Sequence, residues 1–366
     1  MRVFFAGGGT GGHLYPALAV ARALVRQAPS VRPHFLGSTR GIERHILPNA
    51  EFPYTLLDLH PLYRTTPWRN WRTVRGLWSA HAAIGDLMRA DPARLTFATG
   101  GYASAAGLLY SRLHGLPYVL HEANSFPGMT VRWFSASARE LYLGFPEATA
   151  SLPAAARARA VDTGNPIEPP PQPTSFSPSR AERLRAWELD ASTFVLLVFG
   201  GSQGSAAINR LIDSWLVRGL PAGLSLIWAT GREQFAMYAP RASGRVVVRD
   251  YLAPIADAYA VADLALTRAG AMTTAELCAW GVPMILIPLP TAAGDHQTAN
   301  ARALEACGAA RWIAQSDASD VRLDGMVREL IEDRGALERL GAGARARARP
   351  DSARQIAERV HRLIDA

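Results

Sequence analysis

Apolar residues along this chain fall into short unbroken runs, separated by stretches in which they recur at every third or fourth position. The runs "RVFFAG", "PHFLGS", "LTFATG" and "PYVLHE" have the content of buried strands, and the periodic stretches at 14–26 and 104–114 read as helices. This alternation predicts βαβ units on a parallel sheet. A second series repeats the plan, from "FVLLVFGG" (194–201) through "LSLIWATG", "RVVVRDYL", "ADLALTRAG" and "PMILIPLP". Between the two lies "TGNPIEPPPQPTSFSPS" (163–179), whose prolines fit neither a helix interior nor a central strand. The expected organisation is a Rossmann-like domain over 1–163, a proline-rich linker over 164–179 and a second Rossmann-like domain over 180–344. In the tail, Pro350 suits a first helical turn, and Ile356, Val360, Leu363 and Ile364 share helical spacing, which predicts an amphipathic closing helix over about 345–366.

Composition narrows the class without naming a chemistry. Of 366 residues 49% are apolar, enough for two buried cores. No apolar run reaches the ~18 residues of a membrane span, and the amino terminus opens directly as a strand without the regions of a signal peptide, so a soluble cytoplasmic protein is expected. Cys278 and Cys307 lack metal-ligand spacing and are expected to be reduced, buried, small apolar residues. All 39 basic residues are arginine, and the formal charge of +8 suits a phosphate-bearing partner or an anionic surface. It does not choose between nucleic acid, lipid and nucleotide.

Three glycine-bearing turns each follow a predicted strand and open a helix. In the first, Gly7, Gly9 and Gly12 satisfy G-x-G-x-x-G, a geometry in which backbone N–H groups and a helix N-terminus receive an anionic or polar ligand. A dinucleotide site would add an acidic residue at the end of the next strand, and "PHFLGSTRGIE" offers only Glu43, beyond that end and in a predicted helix. Glycines needed only for a tight turn are the plainer alternative. The second turn, "FGGSQGSAAIN" (199–209), sets Gly200, Gly201 and Gly204 around Ser202 and Gln203. It is not a P-loop, because no G-K-[ST] follows and the chain has no lysine. "ATGGYAS" (98–104) is the third. Two such turns, one per domain, suggest a ligand held by both.

Residues 267–310 are denser in polar chemistry. Thr273 and Glu276 make a T-x-x-E capping box, a sufficient structural explanation for the glutamate. The turn from Arg268 to Ala271 would nevertheless face the crevice at the strand ends, where a carboxylate can accept hydrogen bonds from two neighbouring sugar hydroxyls. Asp295, His296, Gln297 and Asn300 open the next helix, and their spacing suits capping or solvent as well as a ligand.

In order, "GGGTGGHLYPALAVA", "GGYASAAG", "LHEANSFPGMT", "LGFPEA", "TGNP", "GGSQGSAAIN" and "RAGAMTTAEL…GVPMILIPLP…DHQTANA" resemble the MurG family of N-acetylglucosaminyltransferases, from residue 6 to about 310. These enzymes add the second sugar to the undecaprenyl-pyrophosphate-linked peptidoglycan precursor. The resemblance implies an α/β, GT-B fold: two Rossmann-like domains with parallel sheets facing a central cleft, the donor UDP-N-acetylglucosamine held mainly by the second and the lipid acceptor by the first. The closing helix can return to the first domain in such an enzyme. It also implies inverting, metal-independent transfer to the 4-hydroxyl of the muramoyl sugar, with no cofactor, and the chain contains no D-x-D to hold a divalent ion on a diphosphate. Carried over by motif, Thr10, Gly11 and Gly12 would lie near the donor sugar and diphosphate, and Asn124 would contact N-acetylglucosamine. Ser202 and Gln203 would meet the diphosphate, and Leu252 the uracil. Ala271, Met272, Thr273, Thr274, Ala275 and Glu276 would meet the ribose and phosphates, with Glu276 on the ribose. Gln297 and Asn300 would reach sugar hydroxyls, while Tyr102 and Asn209 would lie toward the acceptor or the cleft. Three positions depart from the family pattern. Glu168 stands where an arginine usually follows "GNPV", with Arg268 as a candidate substitute; Ala123 replaces a glutamine, and Val131 an asparagine.

His13 follows the glycines at the first turn of a helix, where the dipole disfavours imidazolium, so it should be neutral and able to accept the proton of an attacking hydroxyl. Binding the acceptor or capping backbone is its alternative, and Glu122 of "HEAN" is the rival base. "HEANS" lacks the second histidine of a zinc motif. "LYRTTPWRNWRTVRGLWSAH" (62–81) interleaves Trp68, Trp71 and Trp78 with Arg64, Arg69, Arg72 and Arg75, and a helix would put Trp71, Val74 and Trp78 on one face. Such a face suits the headgroup region of an anionic bilayer, so peripheral attachment at the cytoplasmic face of the membrane is expected; tryptophans in the core are the alternative. Two other functions fit less: a UDP-N-acetylglucosamine epimerase of the same fold would need further carboxylates, and a nucleic-acid-binding protein would need a recognisable reader module.

Overall fold

The structure, a computed structural model, describes every residue except 64, 65, 173, 175, 176 and 366, so Arg64 and part of the proline-rich stretch lie outside the described residues. Two compact units emerge, Met1–Glu168 with Arg349–Ala366, and Pro169–Ala348. Unit 1 runs β1 (Arg2–Ala6), α1 (Gly11–Gln27), β2 (Arg32–Ser38), α2 (Glu43–Ile46), β3 (Tyr54–Leu57), α3 (Asn70–Ala90), β4 (Ala93–Ala98), α4 (Gly101–His114), β5 (Tyr118–Glu122), α5 (Met129–Phe134), β6 (Leu141–Leu143), α6 (Ala154–Arg157) and β7 (Ala160–Asp162). Unit 2 runs α7 (Arg180–Ala186), β8 (Phe194–Phe199), α8 (Ala206–Arg218), β9 (Leu224–Ala229), α9 (Phe235–Tyr238), β10 (Val246–Arg249), α10 (Ala256–Tyr259), β11 (Leu264–Thr267), α11 (Ala271–Trp280), β12 (Met284–Leu286), α12 (His296–Ala306), β13 (Ala310–Trp312), α13 (Asp320–Glu332) and α14 (Arg334–Arg347). The chain ends in α15 (Ser352–Asp365), in unit 1.

Each unit has a parallel sheet covered on both faces, which is why its central strands are apolar at nearly every position instead of alternating. The first sheet has the order β3-β2-β1-β4-β5-β6-β7 and the second β10-β9-β8-β11-β12-β13. In β1, Phe5 stacks between Phe35 and Phe97 with ring centroids 5.3 and 5.2 Å away. That face is closed by Leu14, Leu18 and Leu24 of α1 and by Ile356, Val360 and Ile364 of α15. Phe4 points the other way, into a core with Leu36, Leu120, Ile84 of α3 and Leu108 of α4. In unit 2, Val198 and Trp228 pack under Ile212 and Trp215 of α8. The strand order reverses at β1/β4 and at β8/β11, and polar ligands of such sheets sit where the loops after those strands part. Those loops are three of the glycine turns and the turn of Arg268.

The elements begin earlier or later than the apolar pattern suggests where glycine or proline intervenes. The first and fourth helices start at Gly11 and Gly101, because a glycine-opened first turn carries no hydrophobic signal. The closing helix starts at Ser352, not near 345, and Pro350 precedes it. Proline lacks a donor and pushes the residue before it out of the helical region, so α14 stops at Arg347 and a turn separates the two helices. Cys278 is buried as expected, but Cys307 is exposed beyond the end of α12.

Candidate functional site

In unit 1 the site is built around a buried carboxylate. Glu43, at the start of α2, is wholly shielded from solvent and accepts from Gly9 N–H at 2.8 Å and Ser38 N–H at 3.0 Å. The first glycine turn is wrapped around it: a Cβ at Gly8 or at Gly41 would run into the same carboxylate. Gly9 has a positive φ of 87°, and Tyr102 packs on it so closely that a Cβ would stand 2.9 Å from the ring. The Tyr102 hydroxyl donates to Ser38 Oγ at 3.3 Å. Thr10 is the N-cap of α1 but makes no side-chain cap, and Thr10 and Gly12 are exposed. Glycine therefore serves two purposes here, close approach to Glu43 and an open first turn.

His13 is half-buried in that turn. Its backbone carbonyl accepts from Thr99 Oγ1 at 2.6 Å, and its ring lies against the Gly100–Gly101 corner, whose φ angles of 88° and 74° favour glycine. The same corner holds the next loop, because Thr130 Oγ1 donates to the Gly101 carbonyl at 3.1 Å. Thr10, Gly11, Gly12, His13 and Tyr102 are thus brought together with the "HEANSFPG" loop.

Glu122 is fully buried, and burial pushes its carboxyl above the usual range. One oxygen accepts from the Asn124 N–H at 2.9 Å and Nδ2 at 3.3 Å, and the other from the Gly128 N–H at 2.8 Å. These bonds fold the loop and hold Asn124, half-buried, at its tip. A carboxylate spent on backbone donors suits a brace rather than a base. His121, the residue before it, is also fully buried, and burial pushes its imidazole down to about 3, with the Gly164 backbone and His13 as its polar neighbours. At two of the three departures from the family pattern, Ala123 and Val131 are both buried, so neither offers a polar group to a ligand.

In unit 2, Gly201 and Gly204, with φ of 90° and 77°, form a tight turn closed by Gly204 N–H to the Gly201 carbonyl at 3.0 Å. Ser202 and Gln203 are exposed at its tip, and Ser205 caps α8. The turn rests on Thr230 and Gly231, where a Cβ at Gly204 would strike the Thr230 carbonyl. Asn209 secures that seat from below. It is 1% exposed, its Nδ2 donates to the Thr230 carbonyl and to Gln234 Oε1, both at 2.7 Å, and its Oδ1 accepts from Trp228 Nε1 at 3.0 Å. Its amide is therefore spent on partners inside the protein.

The capping box expected at Thr273 and Glu276 does not form. The N-cap of α11 is Gly270, so Thr273 lies inside the helix, and Thr274 donates back to the Gly270 and Ala271 carbonyls at 3.1 Å. Glycine offers no side chain to cap the first turn from Ala271 to Thr273. Glu276, one turn further, has one oxygen accepting from the Tyr259 hydroxyl at 2.8 Å, and burial raises its carboxyl. Ala275 is half-buried beside it, Met272 likewise, and Leu252 is buried in the loop after β10.

Arg268 is buried at the end of β11, and among the described residues it has no carboxylate partner. Its guanidinium donates to the Ile287 and Pro288 carbonyls at 3.0 and 3.1 Å and to Gln315 Oε1 at 2.7 Å. Burial without a counterion lowers its proton affinity. Gln297 Oε1 accepts from the Leu289 N–H at 2.9 Å, and the fully buried Asn300 donates to the Ala269 carbonyl at 3.1 Å. Arg268, Gln297 and Asn300 thus pin the loops after β11 and β12 to each other. Sequence reasoning weighed Glu43 only as a ribose ligand and passed over His121 and Tyr259; the signal for the bracing role of Glu43 was the glycines at 8, 37 and 41, which its side chain requires.

The face predicted from 62–81 is exposed: Trp68 is 73% accessible, Trp71 57% and Trp78 77%, with Val74 beside them, so these tryptophans are not core. Arg69 lies 5.4 Å from the Tyr63 ring and Arg72 5.5 Å from that of Trp71, while Arg75 is exposed. No helix is long and apolar enough to cross a membrane, among the described residues.

Comparison with known proteins identifies the family. Residues 3–143 match the glycosyltransferase family 28 N-terminal domain and 195–357 its C-terminal domain. The UDP-N-acetylglucosamine–N-acetylmuramyl-(pentapeptide) pyrophosphoryl-undecaprenol N-acetylglucosamine transferase of Chlorobium luteolum is 39% identical over 372 residues, covering 100% of both chains. That of Moorella thermoacetica is 34% identical, again over 100% of both. The crystal structure of Acinetobacter baumannii MurG superposes with a TM-score of 0.77 at 28% identity, covering 99% of each chain. A UDP-GlcNAc 2-epimerase from Neisseria meningitidis, at 12% identity and a TM-score of 0.67, covers 99% of this chain and 100% of its own, and shares the fold alone.

Proposed function

This chain belongs to the MurG family of glycosyltransferases, and from that premise we propose that it transfers N-acetylglucosamine from UDP-N-acetylglucosamine to the 4-hydroxyl of the muramoyl sugar of an undecaprenyl-pyrophosphate-linked acceptor. The observation that carries this assignment is the end-to-end identity with relatives named for that transfer. The epimerase alternative has only a shared fold behind it.

In a single displacement the acceptor oxygen bonds to the anomeric carbon as the bond to UDP breaks, which inverts that carbon. The hydroxyl proton goes to His13, whose ring the Gly100–Gly101 corner holds at the first turn of α1. UDP takes the bonding pair, and its charge is met by the exposed Gly201–Gly204 turn and the glycine-capped start of α11. Glu276 uses the oxygen not bonded to Tyr259 to accept from the ribose. Asn124, held by Glu122, contacts the acetamido sugar. Glu122, Arg268, Asn209, Gln297 and Asn300 position these loops. The exposed tryptophans and arginines of 68–78 attach the enzyme peripherally to the anionic, cytoplasmic face of the membrane, where the acceptor's polyprenyl tail resides.

Incubation with radiolabelled UDP-N-acetylglucosamine and a lipid acceptor analogue tests the transfer. Label moving into the lipid fraction with release of UDP is expected. Label that stays on the nucleotide while the protein is folded would overturn the assignment.

A further inference from the structure

On the face of unit 1 formed by α3 and α4, His81 and His114 bring their Nε2 atoms to 3.2 Å. Their ring centroids are 5.0 Å apart with planes inclined by 35°. Tyr110 supports both, 4.9 Å from the His81 ring and 4.2 Å from that of His114. The shape of this contact is informative. A head-on hydrogen bond of that length would separate the centroids by about 5.5 Å, since each lies about 1.15 Å behind its nitrogen. At 5.0 Å the contact is bent rather than head-on. A bend in which both ring axes meet at a point about 2.05 Å from each nitrogen, the usual zinc–imidazole distance, gives an angle of about 103° at that point and centroids about 5.0 Å apart, so the observed spacing fits a shared ion.

We propose that His81 and His114 form a two-imidazole site for a divalent late transition-metal ion, of the zinc, nickel and copper class, which clasps α3 to α4. Imidazole selects these ions, whereas magnesium and calcium require oxygen ligands. Among the described residues no third histidine, cysteine, aspartate or glutamate joins the pair, so water or an anionic oxygen completes the coordination. Binding needs both rings with their proton on Nδ1. The proton now shared between the two Nε2 atoms moves to an Nδ1 through solvent, and the neutral pair releases none. The pair is solvent-exposed, so the ion pays no burial cost on entry. Trp78 lies one turn before His81 and Leu113 beside His114, both exposed, so the clasp borders the face assigned above to the membrane.

Isothermal titration of zinc chloride into the full chain, free of any affinity tag, tests the site, with magnesium chloride as the control ion and His45→Gln as the control variant. One zinc per chain is expected in the unsubstituted protein and in His45→Gln. His81→Gln and His114→Gln should each weaken binding by more than the roughly 10–100-fold that losing a mere supporting hydrogen bond of a metal ligand costs. Zinc at about a hundredfold excess over its Kd should raise Tm by about 5 °C or more in the unsubstituted chain and not in the two variants. Equal zinc affinity in either variant, binding of magnesium at the same site, or no binding to the unsubstituted chain would each overturn the proposal. Should a variant fail to fold, Cu²⁺ on the unsubstituted chain reads the site directly: superhyperfine splitting from two nitrogens supports it, and its absence refutes it.

Discussion

Glu43→Gln separates a carboxylate that organises the first glycine turn from one that merely fills space. The substitution preserves shape and leaves one carbonyl oxygen where there were two. Since Gly9 N–H and Ser38 N–H approach opposite carboxylate oxygens at 2.8 and 3.0 Å, one of them must then face an NH2 group. With Glu43 fully buried, water cannot replace the lost acceptor. A charge-assisted bond of this kind contributes about 1.5–3 kcal/mol. For a unit of this size about 2–4 °C of Tm accompany each kcal/mol, so the variant should melt about 3–12 °C lower. The Gly9 side of the turn leads directly into Thr10 and the helix start that carries His13, and a misplacement of about 1 Å at reacting groups can cost on the order of 100-fold. Turnover should therefore fall at least about tenfold. The assays are scanning calorimetry and steady-state transfer of labelled sugar. A variant that melts within about 1 °C of the original chain and turns over normally would refute the reasoning, since the carboxylate would then not be serving two N–H donors as an anion.

His13→Ala should lower turnover by about 10²–10⁴-fold, the usual contribution of a general base, and leave donor affinity largely intact; unchanged turnover would retire the base assignment. The double substitution Trp71→Ser and Trp78→Ser should weaken sedimentation with anionic vesicles by about tenfold or more without lowering Tm, because both indoles are exposed; undiminished binding would return them to the solvent surface. His121 titrates near 3 in the fold against an ordinary 6.5, so the unfolded chain takes up a proton that the folded one refuses as pH falls between those values. Its contribution is complete above 6.5 and is lost toward 3 at up to about 1.4 kcal/mol per pH unit, and denaturant unfolding of His121→Asn should show a shallower acid loss. His34, pushed to about 4 by burial, keeps some of that slope in the variant.

The two parallel sheets were legible because strands buried on both faces print themselves as unbroken apolar runs such as "FVLLVF". Helix starts were less so, since Gly11, Gly101 and the Gly270 N-cap carry no hydrophobic or capping signal. Within the site, sequence found most of the polar residues but not their direction. Asn209 and Asn300 show why: an amide offers the same donors and acceptor whether it meets a sugar or the Thr230 and Ala269 carbonyls, and only the fold decides which. Glu122 belongs with them, its carboxylate committed to the N–H groups of Asn124 and Gly128. Glu43 was hidden for a related reason. Its partners are backbone groups of Gly9 and Ser38, so no complementary side chain marks it, and the only trace is glycine where its carboxylate leaves no room for a Cβ. The polar residues of these loops therefore divide by burial. Ser202, Gln203, Thr10 and the N-terminal turns of α1 and α11 remain available to a ligand, and beneath them a layer of buried amides and carboxylates holds the turns in place. A glycine-rich turn can be an accurate reaction site only when such a layer removes the freedom that glycine brings.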